Sequence, residues 1–208
     1  MLYLATASTP LVRDAMRRGL LGQMVTPAEG KMPLPGVTFA ADNGCFGKGY
    51  PGDERWLAWL DRQPRTSCIF AVAPDVIGDA VATAARSGPY LPTIRSMGFP
   101  AAYVAQDGQE RFSPPWDEFD VLFIGGTTSW KLDIQARRLT TQAIRRGKHV
   151  HMGRVNSLRR HRYADAIGCK SVDGTYLIWG PDVNLPIALG WVHDGRTQRP
   201  LFDTQEES

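Results

Sequence analysis

Three apolar runs in this chain end in acids that could do chemistry. In the segment 37–46, the run Val37-Thr38-Phe39-Ala40-Ala41 stops at Asp42-Asn43-Gly44. A buried parallel strand delivers a polar group to a site at its carboxyl end in this way. The run 68–73 ends in Pro74-Asp75, and the short run 170–172 ends in Asp173-Gly174. A carboxylate placed in this way can act as a nucleophile or carry protons. Asp42 is the first candidate for chemistry, and Asp75 and Asp173 stand at corresponding places in their own segments. Each also has a plainer reading: Asp42 before Asn-Gly and Asp173 before Gly174 are common turn residues, and Asp75 could cap a helix.

The pattern recurs at three more places. The run 101–105 ends in Gln106-Asp107-Gly108, 119–124 ends in Gly125-Gly126-Thr127-Thr128, and 149–152 ends in Gly153-Arg154. His149 and His151 alternate, so they share one face of a short strand and could be taken for a metal pair. With no third ligand, a core or site-lining role is the better reading, and no metal is assigned. Trp130 is the one aromatic placed to stack on a base.

The elements that must carry these residues alternate. A first strand spans 2–7, and Thr9-Pro10 opens a helix reaching about residue 21. The proline- and glycine-rich segment 24–36 reads as an irregular loop. Asp53 caps a helix with Trp56, Leu57 and Leu60 on its buried face. The helical region 78–97 must be divided by Gly88, Pro89 and Pro92. An amphipathic helix spans 134–146, and Ser157 caps a basic helix over 158–166. Seven strand candidates separated mostly by helices imply a parallel sheet, closed or open. No Gly-x-Gly-x-x-Gly follows a strand, which disfavours the open dinucleotide-binding form. The expected fold is α/β, a compact or trimmed (β/α)8 TIM-barrel-like fold, because a full barrel usually takes about 250 residues.

Length and composition bound the rest. At 208 residues the chain suits one domain, read as 1–200 with a flexible acidic tail at 201–208. No run approaches the roughly 20 apolar residues of a membrane span, and no basic region precedes the first apolar run, so a cytoplasmic location is expected. Three dispersed cysteines suggest neither a disulfide framework nor a zinc site. The formal charge of +3 is concentrated: Lys131, Arg137, Arg138, Arg145, Arg146, Arg154, Arg159 and Arg160 fall in one stretch that could grip phosphates or simply solvate two helices.

Taken in register, the strand ends resemble those of a known family. The tRNA-guanine transglycosylases, or queuine tRNA-ribosyltransferases, present in the same order an Asp-Ser-Gly-Gly-Phe-Gln motif, a base-reading Asp, Gln-Gly, Gly-Gly, Met-Gly and a final Asp. This chain has Asp42-Asn43-Gly44-Cys45-Phe46, Ala73-Pro74-Asp75, Gln106-Asp107-Gly108, Ile124-Gly125-Gly126, His151-Met152-Gly153 and Val172-Asp173. It lacks that family's zinc-binding insertion. Cys45 and Gly47 replace a Gly and the Gln of the first motif, and Gly174-Thr175-Tyr176 replaces the basic motif after the final acid. In its compactness it is most similar to the DpdA-type DNA-guanine transglycosylases of phages and bacteria.

The resemblance implies that Asp173 is the nucleophile and Asp42 the general acid/base. Asp75, Gln106, Gly125, Gly126, Asn43, Met152 and Gly153 would bind the base, Asp75 facing the two donors of a guanine edge. Asp107 is the substitute for Asp75 in a shifted register. The implied partners are DNA, in preference to tRNA, and a 7-deazaguanine base as second substrate, with no cofactor; a partner protein or a homodimer could add contacts. If the chain is phage-encoded, the location is the host cytoplasm. Two other readings stay open: a nucleoside or nucleotide base exchanger or hydrolase, and a non-catalytic nucleic-acid-binding barrel.

Overall fold

The structure, a computed structural model, describes residues 1–47 and 49–197. The tail expected at 201–208 lies outside the described residues. Eight parallel strands, β1 (Leu2–Ala5), β2 (Gly22–Val25), β3 (Phe39–Ala41), β4 (Cys68–Val72), β5 (Ala101–Ala105), β6 (Val121–Ile124), β7 (His149–Met152) and β8 (Ser171–Asp173), close in sequence order. Closure is made by β8 on β1, with Leu4 opposite Asp173. The helices are α1 (Pro10–Arg17), α2 (Asp53–Asp61), α3 (Ala80–Ser87), α4 (Tyr90–Ser96), α5 (Thr128–Lys131), α6 (Ile134–Arg145), α7 (Leu158–Ala166) and α8 (Pro181–Thr197). The fold is the compact (β/α)8 barrel that the alternation implied.

Strand parity sorts the side chains into two apolar sets. Leu4, Met24, Ala40, Phe70, Val72, Ala102, Val104 and Val121 form one cluster made of strand residues alone, which is the barrel interior. The opposite faces, such as Tyr3, Phe39, Tyr103, Leu122, Val150 and Val172, pack with helical residues including Val12, Trp56, Leu60, Leu139 and Ala164. Every strand is therefore buried on both faces, and the barrel is a packed core, not a pore.

Capping follows the sequence at Thr9 and Ser157 but not at Asp53, which is the first residue of α2 behind Gly52, an N-cap with no side chain to accept a hydrogen bond. Thr9 accepts from the Val12 N–H, Ser157 from Arg160, and Asp79 from Ala82, so three helices start at side-chain caps. The break expected in 78–97 falls between Ser87 and Tyr90, with Pro92 tolerated in the first turn of α4. Two elements were not anticipated. β2 replaces the first part of a segment read as helix end and loop, and α8 follows β8, packing Leu185, Ala188 and Trp191 into the outer core. The first strand stops at Ala5, and α1 stops at Arg17, just before Gly19 at φ 71°.

Candidate active site at the barrel mouth

A pocket of about 420 Å³ opens at the carboxyl ends of the strands. Asp42 reaches it from the end of β3, Gln106 from β5, Gly125 and Gly126 from β6, Gly153 and Arg154 from β7, and Asp173 from β8. In a parallel barrel this end is where loops are free to vary around fixed strand termini. The strand-end residues singled out in the sequence thus meet in one place, although not all of them face the space.

Two carboxylates share the pocket. Asp42 is half-buried, and its carboxyl is pushed up to about 7, first by burial and then by the charges of Asp173 and Asp75. The backbone N–H groups of Asn43 and Gly44 oppose that rise without cancelling it. Near neutrality Asp42 is consequently divided between acid and base forms. Asp173 Oδ1 lies 2.9 Å from His151 Nε2 at the floor of the pocket. One carboxyl able to give or take a proton, beside another held by a ring N–H, suits displacement at an anomeric carbon.

Asp75 sits behind this surface and does not line the pocket. Its carboxylate accepts from Asn43 Nδ2 at 2.8 Å and from Gln106 Nε2 at 2.6 Å. Burial raises its proton affinity, and the two amide donors work against that. Gln106 turns its oxygen to the N–H groups of Gly126 at 2.8 Å and Gly78 at 3.0 Å. Asn43 also donates to Ala73 O and accepts from the Cys45 N–H. The donors expected to meet a base carbonyl are therefore engaged inside the protein: the Gly126 N–H by Gln106, and the Gly125 N–H by Ala105 O at 3.0 Å.

Other expectations need correction. Met152 is fully buried in the outer core, because its strand position has the opposite parity from the pocket-facing residues of β7. Lys131 is fully buried too and donates to Gly153 O at 2.6 Å, so it cannot meet phosphate at the surface. Burial and the nearby Arg154 charge bring its amine down to about 7. Trp130 packs beneath the Gly125-Gly126 loop, donating to Glu110, and is not presented for stacking. Asp107 caps that loop, accepting from the Thr127 N–H and hydroxyl. The aromatics lining the pocket are Phe46 and Phe123, and the Arg154 guanidinium lies 4.7 Å from the Phe46 ring centroid.

The basic residues divide by height on the barrel. Arg154, held at φ 59°, donates to Gly126 O across the mouth, and Arg160 lines the pocket beside it. Arg159 and Arg160 line an adjoining groove of about 490 Å³ between α5 and α7. Arg137 and Arg138 are exposed in the early turns of α6, on the mouth side. Arg145 and Arg146 close that 12-residue helix, about 12 Å farther down. They belong to the opposite end of the barrel, where the Arg146 guanidinium lies 4.6 Å from the ring centroid of Trp116.

His151 and Ser171 are functional neighbours that the sequence reading left out of the site. The period-two spacing of His149 and His151 and of Ser171 and Asp173 was the available signal, since it puts each pair on one strand face. Among the described residues, no group of three or more His, Cys, Asp or Glu is placed to hold a metal ion, and no helix is long and apolar enough to cross a membrane.

These features define a (β/α)8 barrel with two interacting carboxylates and two arginines at its mouth. No family model matches the chain, and no curated protein matches it. Among solved structures it is similar to a chain of the Amycolatopsis orientalis BexX/CysO complex, with a TM-score of 0.59 and 16% identity over 93% of this chain and 88% of that one. Tryptophan synthase from M. tuberculosis matches with a TM-score of 0.48 and 12% identity over 91% of this chain and 98% of that one. At such identities the likeness is one of fold alone.

Proposed function

We propose that the protein is an enzyme, a guanine transglycosylase that replaces guanine in DNA with a 7-deazaguanine base. The observation that carries this reading is the pairing of Asp42 with Asp173 in one pocket, with the carboxyl of Asp42 raised to about 7. Asp173 attacks C1′ of the nucleoside as the C1′–N9 bond breaks, and the electron pair leaves with guanine, which takes a proton from Asp42. The incoming base then loses its proton to Asp42 and displaces the Asp173 ester. A base must leave the stack to reach this pocket, and Arg154 and Arg160 stand where flanking phosphates would lie. The buried Asp75 and Asn43 support the base-reading wall from behind, because Asp75 fixes the amide of the pocket-lining Gln106.

The test is incubation of the protein with guanine-containing DNA, tRNA and 7-deazaguanine bases, followed by nucleoside mass spectrometry of each polymer. The expected product is a 7-deazaguanine deoxynucleoside, absent with Asp42→Asn and Asp173→Asn. Incorporation into tRNA alone would replace DNA by tRNA in the reading. Exchange on free nucleosides only would leave a small-molecule base exchanger, and no exchange with retained DNA binding would leave a binding barrel.

A further inference from the structure

A hydrogen-bonded chain runs up the inside of the barrel and ends on Asp173. His149 Nε2 lies 2.7 Å from Ser171 Oγ, Ser171 Oγ lies 2.9 Å from His151 Nδ1, and His151 Nε2 lies 2.9 Å from Asp173 Oδ1. The register makes this contact: His151 stands opposite Ser171, and strand parity turns His149, His151, Ser171 and Asp173 to the barrel interior. His151 and Ser171 are fully buried. The His151 ring is wedged between Phe123 and Phe70, with centroids at 4.4 and 5.0 Å, so it has no room to turn away.

With an ionised Asp173 and a neutral His151, the chain has one direction. An ionised Asp173 only accepts, so His151 carries its proton on Nε2. In the neutral ring Nδ1 then accepts, and the hydrogen it receives is that of the Ser171 hydroxyl. The Ser171 oxygen in turn accepts from His149 Nε2–H. All three links donate toward the carboxylate, and none is left without its complement.

We propose that His151 is the positioning residue of Asp173, its tautomer locked by Ser171 and His149. The proposal rests on the base-exchange reading for its consequence and on geometry for its existence. With Oδ1 held by the ring N–H, Oδ2 is the free oxygen presented for attack at C1′. After attack Oδ1 becomes the ester carbonyl and still accepts from the same N–H, so both half-reactions proceed without rearrangement of the chain. Burial above all, with the Lys170 charge nearby, holds the His149 imidazole down at about 4, which keeps that end neutral through the working range. The groups facing the chain are Ser171 and Asp173 from β8, the two phenyl rings from β4 and β6, Lys170 at the lower end, and Lys131, Asp42 from the end of β3 and Tyr3 from β1 acting on Asp173 at the upper end.

Two measurements test this, and the first needs no substrate. Imidazole ¹⁵N NMR, assigned with His149→Phe and His151→Phe, is expected to show the His149 ring neutral and, in the neutral His151 ring, the Nε2–H tautomer. Ser171→Ala should release His151 into a tautomer mixture while the folded spectrum is kept. A neutral His151 that carries its proton on Nδ1 overturns the proposal. The second measurement is turnover: Ser171→Ala should lower kcat roughly 10- to 100-fold with KM unchanged and alter the acid limb of the pH profile, and Ser171→Thr should restore most of the loss. An unaltered kcat and pH profile in Ser171→Ala also overturns it. The expected spectra without base exchange in any polymer would instead leave the chain in place and remove the transglycosylase reading.

Discussion

Gln106 and Asp75 are joined at 2.6 Å, amide to carboxylate, and the oxygen of the same amide accepts the N–H groups of Gly126 and Gly78. One side chain thus ties β4, β5 and β6 together behind the pocket. Replacing it with Leu would leave two backbone donors and one carboxylate oxygen short of partners. Each such group costs about 1–3 kcal/mol when buried. Gln106→Leu should therefore lower the melting temperature by several degrees, at about 2–4 °C per kcal/mol in a chain of this size. Gln106→Glu should be as damaging above neutral pH, where two carboxylates would face each other, and milder below pH 5. Thermal scans at both pH values check the pair.

Asp42 makes a second prediction about stability that needs no knowledge of the substrate. Its folded pKa of about 7 lies above the ordinary value of 3.8, so its neutral form is the one the fold favours. The stabilising contribution is complete below pH 3.8 and is lost as pH rises through 7. Asp42→Asn removes the titration while keeping the shape. The variant should be more stable than the parent at pH 8, by at least about 1 kcal/mol, and nearly equal to it at pH 4. Paired denaturant titrations at the two pH values would decide it, and equal differences at both would sink the idea.

If Asp42 also protonates the departing guanine, formation of the glycosyl intermediate should fall above about pH 7. The release of guanine in a single turnover, with no second base added, isolates that step. A rate that stays flat to pH 9 would remove Asp42 from the role of acid.

The strand ends were legible in the sequence because a parallel barrel converts one-dimensional punctuation into one mouth. Asp42, Gln106, Gly125, Gly126, Gly153 and Asp173 each follow an apolar run and each line the pocket. Met152 was misplaced because a one-residue step along a strand changes its face. β2 escaped notice because Gly22-Gln23-Met24-Val25 has little strand character of its own. Its neighbours impose it: a Cβ on Gly22 would lie 2.5 Å from Leu4 Cδ2, and Gln23 turns to accept the Leu34 N–H at 2.8 Å. The pairing of His151 with Asp173 was hidden for a different reason. It depends on the register of β7 against β8, and two short strands separated by a helix do not announce their register.

Gly153 has no space for a methyl group. A Cβ there would lie 2.6 Å from Phe123 Cε1 and 3.3 Å from Asp173 Oδ1, and Phe123 in turn packs on His151. Gly153→Ala should destabilise by about 1–3 kcal/mol through overpacking and displace Asp173 from its hydrogen bond with His151. Gly190→Ala is the contrast, since nothing lies within 4 Å of its added Cβ and the residue is helical. It should stabilise by about 0.4–1 kcal/mol with activity unchanged. Melting curves and turnover measured side by side separate the crowded site from the open one.

If DNA is the polymer bound, the split of the arginines predicts which charges it senses. Arg154 and Arg160 line the pocket, whereas Arg145 and Arg146 end α6 on the far side of the barrel. Each lost phosphate contact should reduce the slope of log affinity against log salt by about 0.7–0.9. Arg160→Gln should therefore weaken DNA binding and flatten its salt dependence by about one contact. Arg154→Gln should do the same and, in addition, free Phe46 and the Gly126 carbonyl from the guanidinium that bridges them. The double change Arg145→Gln with Arg146→Gln carries the larger alteration of net charge but no contact near the mouth. If general attraction to a basic surface were the whole of binding, that double variant would lose the most affinity. Fluorescence anisotropy over a salt series distinguishes the two, and equal slopes in the parent and both mouth variants would place the strand elsewhere on the barrel.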